Sequence, residues 1–288
     1  MTTPADPAQT AAPTAAEPRT RPVREMFELT VTRAEAITPG LVRVFFSGAP
    51  AAVYADRPSS DTYMKLYFAT DGRPVPFPLD LDAVREERGA AAVPTQRTYS
   101  MRGYDRASGE MSIEFVVHGD AGVAGPWAAR ARAGDRIVAT SPGGAYQPDP
   151  AADWHLLIGD ESALPAIAAS VERLPGDAVG AILVEVADAE HRVELGAPAG
   201  MSVRWLLRDG APAGTTTLLA DALAGLAWLP GTPHVFAHGE REAMKALRPI
   251  VREREIPRDR LSLSGYWAFG RSEDRFQAEK REPIGQIL

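Results

Sequence analysis

The fold assignment starts from the stretch Arg97-Thr98-Tyr99-Ser100-Met101-Arg102. Threonine and tyrosine favour an extended backbone, and strand alternation sends Arg97 and Tyr99 to one face, and Thr98 and Ser100 to the other. The arginine fork can hold a pyrophosphate, the tyrosine ring can lie against an isoalloxazine, and the serine hydroxyl can bond the reactive flavin nitrogen. The pattern predicts a flavin-binding strand; the alternative is a half-buried barrel strand with solvated arginines.

Short alternating segments flank this stretch on both sides. They cover residues 27–32, 41–46, 62–68, 111–117 and 135–140, and turns with glycine and proline separate them. Together with the Arg97 strand they make six short strands, which predict a small antiparallel β-barrel within residues 23–147. A loop over residues 71–95 interrupts the barrel, with a short helix expected at residues 81–88.

The rhythm changes after Pro148 to alternating strands and helices. Strands are expected at residues 154–158, 181–186, 203–207, 234–237 and 261–266, and helices at residues 163–174, 216–226 and 240–254. This alternation predicts a parallel sheet with covering helices. We therefore expect a nucleotide-binding-like α/β domain over residues 148–288, ending in a C-terminal helix.

Composition excludes several classes of function. The 288 residues suit two domains, and 45% hydrophobic with 24% charged residues is typical of a globular protein. The absence of cysteine excludes disulfides, thiolate zinc sites and iron–sulfur clusters. Five scattered histidines predict no protein-ligated metal, and a net charge of −7 argues against nucleic-acid binding. No apolar run is long enough for a membrane span.

The first residues, 1–22, are rich in alanine, proline and threonine and contain no aromatic residue. This composition predicts a disordered tail. The tail lacks the basic start and apolar core of a signal peptide, so a cytoplasmic protein is expected.

Two glycine-bearing turns are candidates for phosphate binding. The first runs His118-Gly119-Asp120-Ala121-Gly122-Val123-Ala124-Gly125-Pro126-Trp127 and leads into a helical run, whose free N–H groups suit phosphate. The second runs Gly159-Asp160-Glu161-Ser162-Ala163-Leu164-Pro165-Ala166-Ile167 at the end of the first parallel strand, where such sheets bind nucleotides. A loop without ligand is the alternative for the first turn, and the second is a weak generic dinucleotide signal.

These motifs together resemble the siderophore-interacting protein family of ferric-siderophore reductases. The family's flavin strand appears as Arg97, Tyr99, Ser100 and Arg102, and its Gly-Asp-Glu-Thr-Ala-Leu-Pro element appears with Ser162 in place of threonine. Its C-terminal element appears as Ser264, Gly265, Tyr266 and Trp267, then Gly270, Arg271, Glu273 and Asp274. The resemblance covers residues 27–282 and implies a ferredoxin-reductase-like fold with an FAD-binding barrel.

The resemblance implies that reduced nicotinamide, NADH or NADPH, passes electrons through FAD to ferric iron held in a siderophore. It implies that Ser100 and Lys65 serve catalysis, Lys65 as a cation facing the anionic substrate, with Arg102 and Arg271 as weaker candidates. The alternative for Lys65 is a solvent-facing strand lysine. The remaining residues assigned to cofactor binding are Arg97, Thr98, Tyr99, His118, Gly119, Gly122, Ala124, Gly125, Trp127, Asp160, Glu161, Ser162, Ala163, Tyr266 and Trp267.

The sequence leaves FAD retention, the charge near Trp267 and the role of His238 undecided. Gly122-Val123-Ala124-Gly125-Pro126 replaces the Gly-Pro-Ala-Ser of relatives and loses a serine hydroxyl, which is expected to weaken FAD retention. Ala268 and Phe269 stand where relatives often carry an arginine. Dinucleotide contact and helix capping are equal alternatives for His238.

Donor choice and the final acceptor are equally open. Glu185 or Asp188 favours NADH and Arg192 favours NADPH, without a decision between them. A monomer is expected. The competing functions are a general flavin or ferredoxin-type reductase and a non-catalytic siderophore-binding module.

Overall fold

The computed structural model describes residues 25–120 and 122–287, so the tail predicted for residues 1–22 lies outside the described residues. Six antiparallel strands close into a barrel in the order β1-β2-β5-β4-β3-β6, which confirms the predicted antiparallel barrel. The strands are β1 (Met26–Thr38), β2 (Leu41–Ser47), β3 (Tyr63–Phe68), β4 (Thr95–Asp105), β5 (Glu110–Val116) and β6 (Arg136–Thr140).

Three short helices accompany the barrel: α1 (Ala51–Tyr54), α2 (Leu81–Arg88) and α3 (Ala124–Arg130). Helix α2 has the predicted bounds, because the Asp80 carboxylate accepts hydrogen bonds from the N–H groups of Asp82 and Ala83 and caps its start. Gly89, with a φ of 88°, follows its last residue. Both ends of α2 are therefore encoded locally.

The barrel core consists of side chains at alternate strand positions, as the two-residue period of a strand requires. Its fully buried large residues include Leu29, Phe46, Met64, Leu66, Met111, Ile113 and Phe115. Helix α3 closes the core by inserting Trp127 against Phe46, Phe68 and Phe115.

Phe115→Ala tests this core directly. Phe115 is fully buried and contacts Tyr99 and Trp127, so truncation is expected to cost about 3–5 kcal/mol of unfolding free energy. Urea unfolding measures the change. The control is Phe77→Ala, since Phe77 is 45% exposed and its loss is expected to cost about 0.5 kcal/mol or less. Equal effects of the two variants would contradict the described core.

The second half of the chain forms a five-stranded parallel sheet in the order β11-β10-β7-β8-β9. Its strands are β7 (Trp154–Asp160), β8 (Val179–Val186), β9 (Gly200–Leu207), β10 (Pro233–Glu240) and β11 (Leu261–Trp267). Its helices are α4 (Leu164–Val171), α5 (Leu218–Ala224), α6 (Arg241–Glu253) and α7 (Glu273–Glu279). The predicted parallel sheet is confirmed, and the expected strands and helices occur with boundaries shifted by a few residues.

The barrel and the sheet share one packed interface. Leu41 of β2 and Tyr146 of the connecting segment belong to the same buried cluster as the residues of β7 and α4. The hydroxyls of Ser60 and Ser170 also join the two halves at 2.7 Å. The contacts hold the carboxyl edge of the sheet in a fixed place relative to β4. The division into domains at residue 147 stays a prediction.

Two classes of feature are absent from the part of the chain that the structure describes. None of its helices is long and apolar enough to cross a membrane. Residues 25–120 and 122–287 also contain no cluster of three or more His, Asp or Glu side chains that could hold a metal ion.

Candidate active site

The outward face of β3 and β4 lies where the barrel meets the parallel sheet, since Ser100 of β4 bonds Tyr266 of β11. The strand register pairs Tyr63 with Ser100 and Lys65 with Thr98, so these four side chains share one face of the sheet. We call these four residues the β3–β4 face. Thr98 is exposed and Ser100 is buried. Tyr99 packs on the opposite side with the barrel core, so β4 alternates as its sequence predicts.

Tyr266 of β11 approaches the β3–β4 face from the parallel sheet. Its phenol shares a hydrogen bond with the Ser100 hydroxyl, and its ring packs edge-on against His238, with 4.9 Å between the centroids. Burial raises the pKa of Tyr266, which the bond to Ser100 only partly offsets, so the phenol is neutral at physiological pH. The hydroxyl predicted to serve the flavin is thus fixed by a residue from the other half of the chain.

Lys65 and Lys280 lie near enough to each other to interact electrostatically. Lys65 Nζ donates to Gln96 Oε1 at 2.9 Å. Lys280 follows α7, lies over the ring of Phe276 at 4.6 Å and is open to solvent at its outer side. Desolvation lowers the pKa of Lys280, attraction by the Glu273 carboxylate opposes this change, and repulsion from Lys65 adds to it. Sequence reasoning missed Lys280, since no local pattern places the C-terminal helix beside β3.

Arg97 lies on the same side of β4 as Tyr99, opposite the β3–β4 face, and its side chain is partly exposed. Its Nη1 donates to the Gln96 carbonyl oxygen at 2.7 Å and to Asp274 at 3.3 Å. The Arg97 side chain is 20% exposed and that of Asp274 is 77% exposed. A pair with so exposed a partner contributes little to stability, so a phosphate can displace Asp274. Pyrophosphate binding by Arg97 stays a prediction that this position allows.

Tyr99 and Trp127 pack against phenylalanines of the barrel. The Tyr99 ring lies 4.4 Å from that of Phe115, and Trp127 stacks parallel to Phe46 at 6.3 Å. Burial raises the pKa of Tyr99. Both rings remain partly exposed, so each has a core-facing part that fixes its position and a remaining surface that a cofactor can contact.

The segment between β5 and α3, described except for residue 121, combines an uncapped helix start with two glycines of positive φ. No side chain caps the start of α3 at Val123. Gly119 and Gly122 have φ angles of 61° and 79°, and a Cβ added to either would meet nothing within 4 Å. Gly125 instead lies close to β5, where an added Cβ would be 3.1 Å from the Val116 carbonyl oxygen. The loop is therefore an open backbone surface at a helix start.

These residues fit the FAD predicted from the sequence. An uncapped helix start and open glycines suit the phosphates, Arg97 supplies a guanidinium, and the β3–β4 face supplies hydroxyls. His118 is exposed beside the loop, and Ala124 is buried beneath it. The individual FAD contacts stay predictions.

Asp160 organises the turn after β7. Its Oδ1 accepts hydrogen bonds from the N–H and hydroxyl of Ser162 at 2.9 and 2.5 Å. Its Oδ2 accepts bonds from the Glu240 N–H and from Trp267 Nε1, both at 2.8 Å, and Ala163 is fully buried behind it. Asp160, Ser162 and Trp267, which were predicted to bind a dinucleotide, therefore hydrogen-bond to one another and fix the shape of the turn. Their role toward a dinucleotide stays a prediction.

Glu161 and Glu185 hold a buried arginine at the same edge of the sheet. Arg208 Nη2 lies 3.1 and 2.9 Å from the two carboxylate oxygens of Glu161, and Nη1 lies 3.6 Å from Glu185 Oε1. Glu185 also accepts a hydrogen bond from the Thr216 hydroxyl at 2.8 Å. Sequence reasoning found both carboxylates and missed Arg208, because their pairing depends on three separate strand ends.

Two arginines predicted as weaker substrate contacts form ion pairs with carboxylates of the protein. Arg102 bonds Glu172 at 2.5 Å and lies 3.6 Å from Glu114, so it joins β4 to the end of α4. Arg271 donates to Glu279 at 2.9 Å, within the anchor of α7. Arg102 is thus paired with a carboxylate of its own, whereas Arg271 shares Glu279 with Arg241 and Arg275. A substrate role for either arginine stays a prediction.

His238 has neither of the roles expected for it. It is 4% exposed and its Nε2 bonds the Ser262 hydroxyl at 2.9 Å, so it is not open to a dinucleotide. Glu240, not His238, caps α6 by accepting bonds from the first N–H groups of that helix. Burial, with a smaller contribution from Lys280, lowers the pKa of His238 to about 3. The ring is therefore neutral.

Comparison with known proteins identifies the family. A siderophore-interacting FAD-binding domain matches residues 30–146, and a siderophore-interacting protein domain matches residues 152–270. The chain belongs to the siderophore-interacting protein family. The first match covers the barrel except for the start of β1, and the second covers all five strands of the parallel sheet, so both halves described above are those of the family.

Characterised relatives of this siderophore-interacting protein include two reductases. It is 38% identical over 193 residues to the ferric vibriobactin reductase ViuB of Vibrio cholerae, covering 65% of this chain and 69% of ViuB. It is 28% identical to the NADPH-dependent ferric-chelate reductase of Escherichia coli, covering 83% of this chain and 92% of that protein. The family thus includes ferric reductase homologues of this chain.

Solved structures agree with the fold. A siderophore utilization protein from T. fusca superposes with a TM-score of 0.73 at 36% identity, covering 86% of this chain and 94% of that one. A ferredoxin reductase of carbazole 1,9a-dioxygenase superposes with a TM-score of 0.58 at 17% identity, covering 84% and 68%. The second likeness concerns the fold alone and confirms the predicted ferredoxin-reductase-like architecture of the siderophore-interacting protein.

Proposed function

We propose that this protein is a ferric-siderophore reductase that passes electrons from a reduced nicotinamide through FAD to siderophore-bound Fe(III) and releases Fe(II). The observation that carries the proposal is the β3–β4 face, on which Ser100 bonds Tyr266 of the parallel sheet and Lys65 lies near enough to Lys280 to act on its pKa. Membership of a family with an FAD-binding domain and ferric reductase relatives supports it. The proposal includes a monomer acting in the cytoplasm, where reduced nicotinamides occur.

FAD is held in this proposal by Arg97 at the pyrophosphate, by the open β5–α3 loop, and by Thr98 and Ser100 of β4. When bound, FAD supplies the conversion of a two-electron hydride donor into single electrons for iron. One nicotinamide therefore reduces two ferric ions: NAD(P)H and two Fe(III) give NAD(P)⁺, two Fe(II) and one proton.

Ser100 and Tyr266 act as a pair. Because the Tyr266 phenol is neutral and shares a hydrogen bond with Ser100, the serine hydroxyl has a fixed orientation before any ligand arrives. A fixed donor needs no reorganisation when charge develops near it. We infer that Ser100 holds a hydrogen bond to the reacting edge of the flavin, and that Tyr266 positions it and excludes water from the β3–β4 face.

Lys65 and Lys280 recognise the substrate by charge. Siderophores present hard oxygen ligands, which suit ferric iron better than ferrous iron, and their complexes are often anionic. Two neighbouring ammonium groups attract such a complex and hold it near the β3–β4 face. The chelate brings its own iron ligands, so the protein needs to supply only the charge and the electron path.

Steady-state turnover tests the proposed reaction, and the quantity measured is the ferrous iron that is released. Purified protein is loaded with FAD and supplied with reduced nicotinamide and an anionic catecholate or hydroxamate ferric chelate, while a ferrous-specific chelator traps the product. We expect two trapped Fe(II) per nicotinamide consumed, dependent on added FAD. Nicotinamide oxidation only with free flavin as acceptor would favour a general flavin reductase, and protein that binds the chelate without FAD or turnover would favour a binding module.

Ser100→Ala tests the catalytic assignment. Removing one fixed donor is expected to slow FAD reduction by nicotinamide by about 10-fold, at the low end of such effects because backbone groups remain. Stopped-flow absorbance measures the rate, and FAD affinity is expected to change by much less. Ser112→Ala, on the neighbouring strand β5, is the matched control. If both variants reduce FAD at the wild-type rate, Ser100 has no part in the chemistry.

A further inference from the structure

The carboxyl edge of the parallel sheet contains both residue types that discriminate between nicotinamides. In doubly wound sheets an acidic residue near the end of the second strand bonds the ribose 2′-hydroxyl of NAD, whereas an arginine nearby accommodates the 2′-phosphate of NADP. Glu185 lies near the end of β8, the second strand in chain order, and Arg208 follows β9 directly. The contacts of these two residues therefore bear on the choice of donor.

The guanidinium of Arg208 already pairs with two carboxylates of the protein. Its Nη2 contacts both oxygens of Glu161, and its Nη1 lies 3.6 Å from Glu185. The Arg208 side chain is only 6% exposed. Its Nε and Nη1 have no hydrogen-bond partner among the described residues, yet both are shielded from solvent. A phosphate can reach these donors only if Arg208 leaves its two carboxylates.

The surroundings of Arg208 are strongly acidic. Glu185, Asp160 and Glu240 line one small cavity beside it, together with Thr216 and Trp267. Burial raises the pKa of Glu185, the Thr216 hydrogen bond and the Arg208 charge oppose the rise, and the charges of Asp160 and Glu161 add to it. A phosphate monoester carries a charge of about −1.5 to −2 at neutral pH, so this edge repels a 2′-phosphate. A neutral 2′-hydroxyl meets no such repulsion and can donate to a carboxylate.

We propose that this protein uses NADH in preference to NADPH, and that Glu161 and Glu185 set the preference by engaging Arg208 and repelling a 2′-phosphate. This inference rests on the proposed function, in which a reduced nicotinamide is the electron donor. The Escherichia coli relative is NADPH-dependent by name, but it is only 28% identical to this chain. Donor preference is thus a property in which this protein differs from that relative.

The experiment uses two readouts, one of which does not depend on flavin chemistry. Stopped-flow absorbance gives the rates at which NADH and NADPH reduce the FAD-loaded protein anaerobically. Calorimetry gives the affinities for ADP-ribose and 2′-phospho-ADP-ribose. We expect NADH and ADP-ribose each to be favoured by about 10-fold or more at low ionic strength, with the difference shrinking as salt screens the charges.

Glu185→Gln tests which residue sets the preference. Glutamine keeps the shape and can still accept the Thr216 hydrogen bond, but it removes one of the two negative charges that face Arg208. The NADH-to-NADPH ratio is expected to fall by about 10-fold, mainly through better use of NADPH. Glu161→Gln is expected to act in the same direction. Glu253→Gln is the control, since Glu253 is exposed at the far end of α6.

The possible outcomes separate the two proposals. Equal or tighter binding of 2′-phospho-ADP-ribose by the wild-type protein overturns the NADH preference and leaves the reductase proposal intact. An unchanged ratio in both Glu185→Gln and Glu161→Gln overturns the roles of these residues. If neither nicotinamide reduces the FAD and neither probe binds, the proposed donor is wrong, and the inference fails with it.

Discussion

Replacing Lys65 and Lys280 together by alanine is expected to raise the KM for an anionic ferric siderophore by about 100-fold, equivalent to ~2.7 kcal/mol of lost attraction. The two ammonium groups lie close enough that Lys65 contributes to lowering the pKa of Lys280, so they act as one positive region. Reduction of FAD by nicotinamide is expected to stay within about 2-fold of the wild-type rate, since neither lysine contacts the sheet edge.

Steady-state kinetics with a ferrous-trapping chelator measures this change. The chain has a third lysine, Lys245, which pairs with Glu242 on α6 at 3.1 Å, so Lys245→Ala is the control for removing a lysine elsewhere on the surface. A neutral ferric chelate provides the second control, because its KM is expected to respond weakly. Equal sensitivity of neutral and anionic chelates to the double variant would show that the lysines do not act through charge.

Arg97→Ala is expected to weaken FAD binding by about 100-fold, because one or two charge-assisted hydrogen bonds of ~1.5–3 kcal/mol each are lost. Among the described residues the Arg97 side chain hydrogen-bonds to the Gln96 carbonyl oxygen and the exposed Asp274, so the fold is expected to survive the change. Quenching of flavin fluorescence on titration with FAD gives the affinity.

Arg136→Ala is the matched control for Arg97→Ala. Arg136 lies on β6, where it pairs with Glu28 at 3.2 Å, and its removal is expected to leave FAD affinity within about 2-fold of wild type. Asp274→Asn provides a complementary test, since removal of the competing carboxylate is expected to tighten FAD binding slightly. Unchanged FAD affinity in Arg97→Ala would remove Arg97 from the cofactor site.

The parts of the site that lie within single strands could be predicted from the sequence. The two-residue period of β4 places Ser100 and Thr98 on one face and Tyr99 on the other, and the register with β3 bears this out. The turn after β7 could also be recognised from the sequence. An added Cβ at Gly159 would lie 2.6 Å from the Ala163 Cβ and 2.7 Å from the His238 carbonyl oxygen, so only glycine allows the strand and helix to approach so closely.

The parts that depend on contacts between distant segments could not be predicted. Lys280 joins Lys65 only because α7 is anchored by the buried pair of Arg241 and Glu279, at 2.6 Å. Arg208 becomes engaged only where three strand ends meet. No local period or motif indicates such contacts. The residues could therefore be picked out from the sequence, but the residues that they contact could not. The same limit explains why Arg102 looked like a candidate for substrate binding, although Glu172 balances its charge.

An anaerobic half-reaction tests the central proposal most directly. The FAD-loaded protein is reduced with one equivalent of NADH, freed of excess nicotinamide, and mixed with a ferric siderophore while the visible flavin absorbance and trapped Fe(II) are followed together. The proposal predicts that the flavin absorbance returns as two Fe(II) appear per FAD. Flavin that stays reduced in the presence of ferric siderophores, yet is reoxidised by another acceptor, would contradict it.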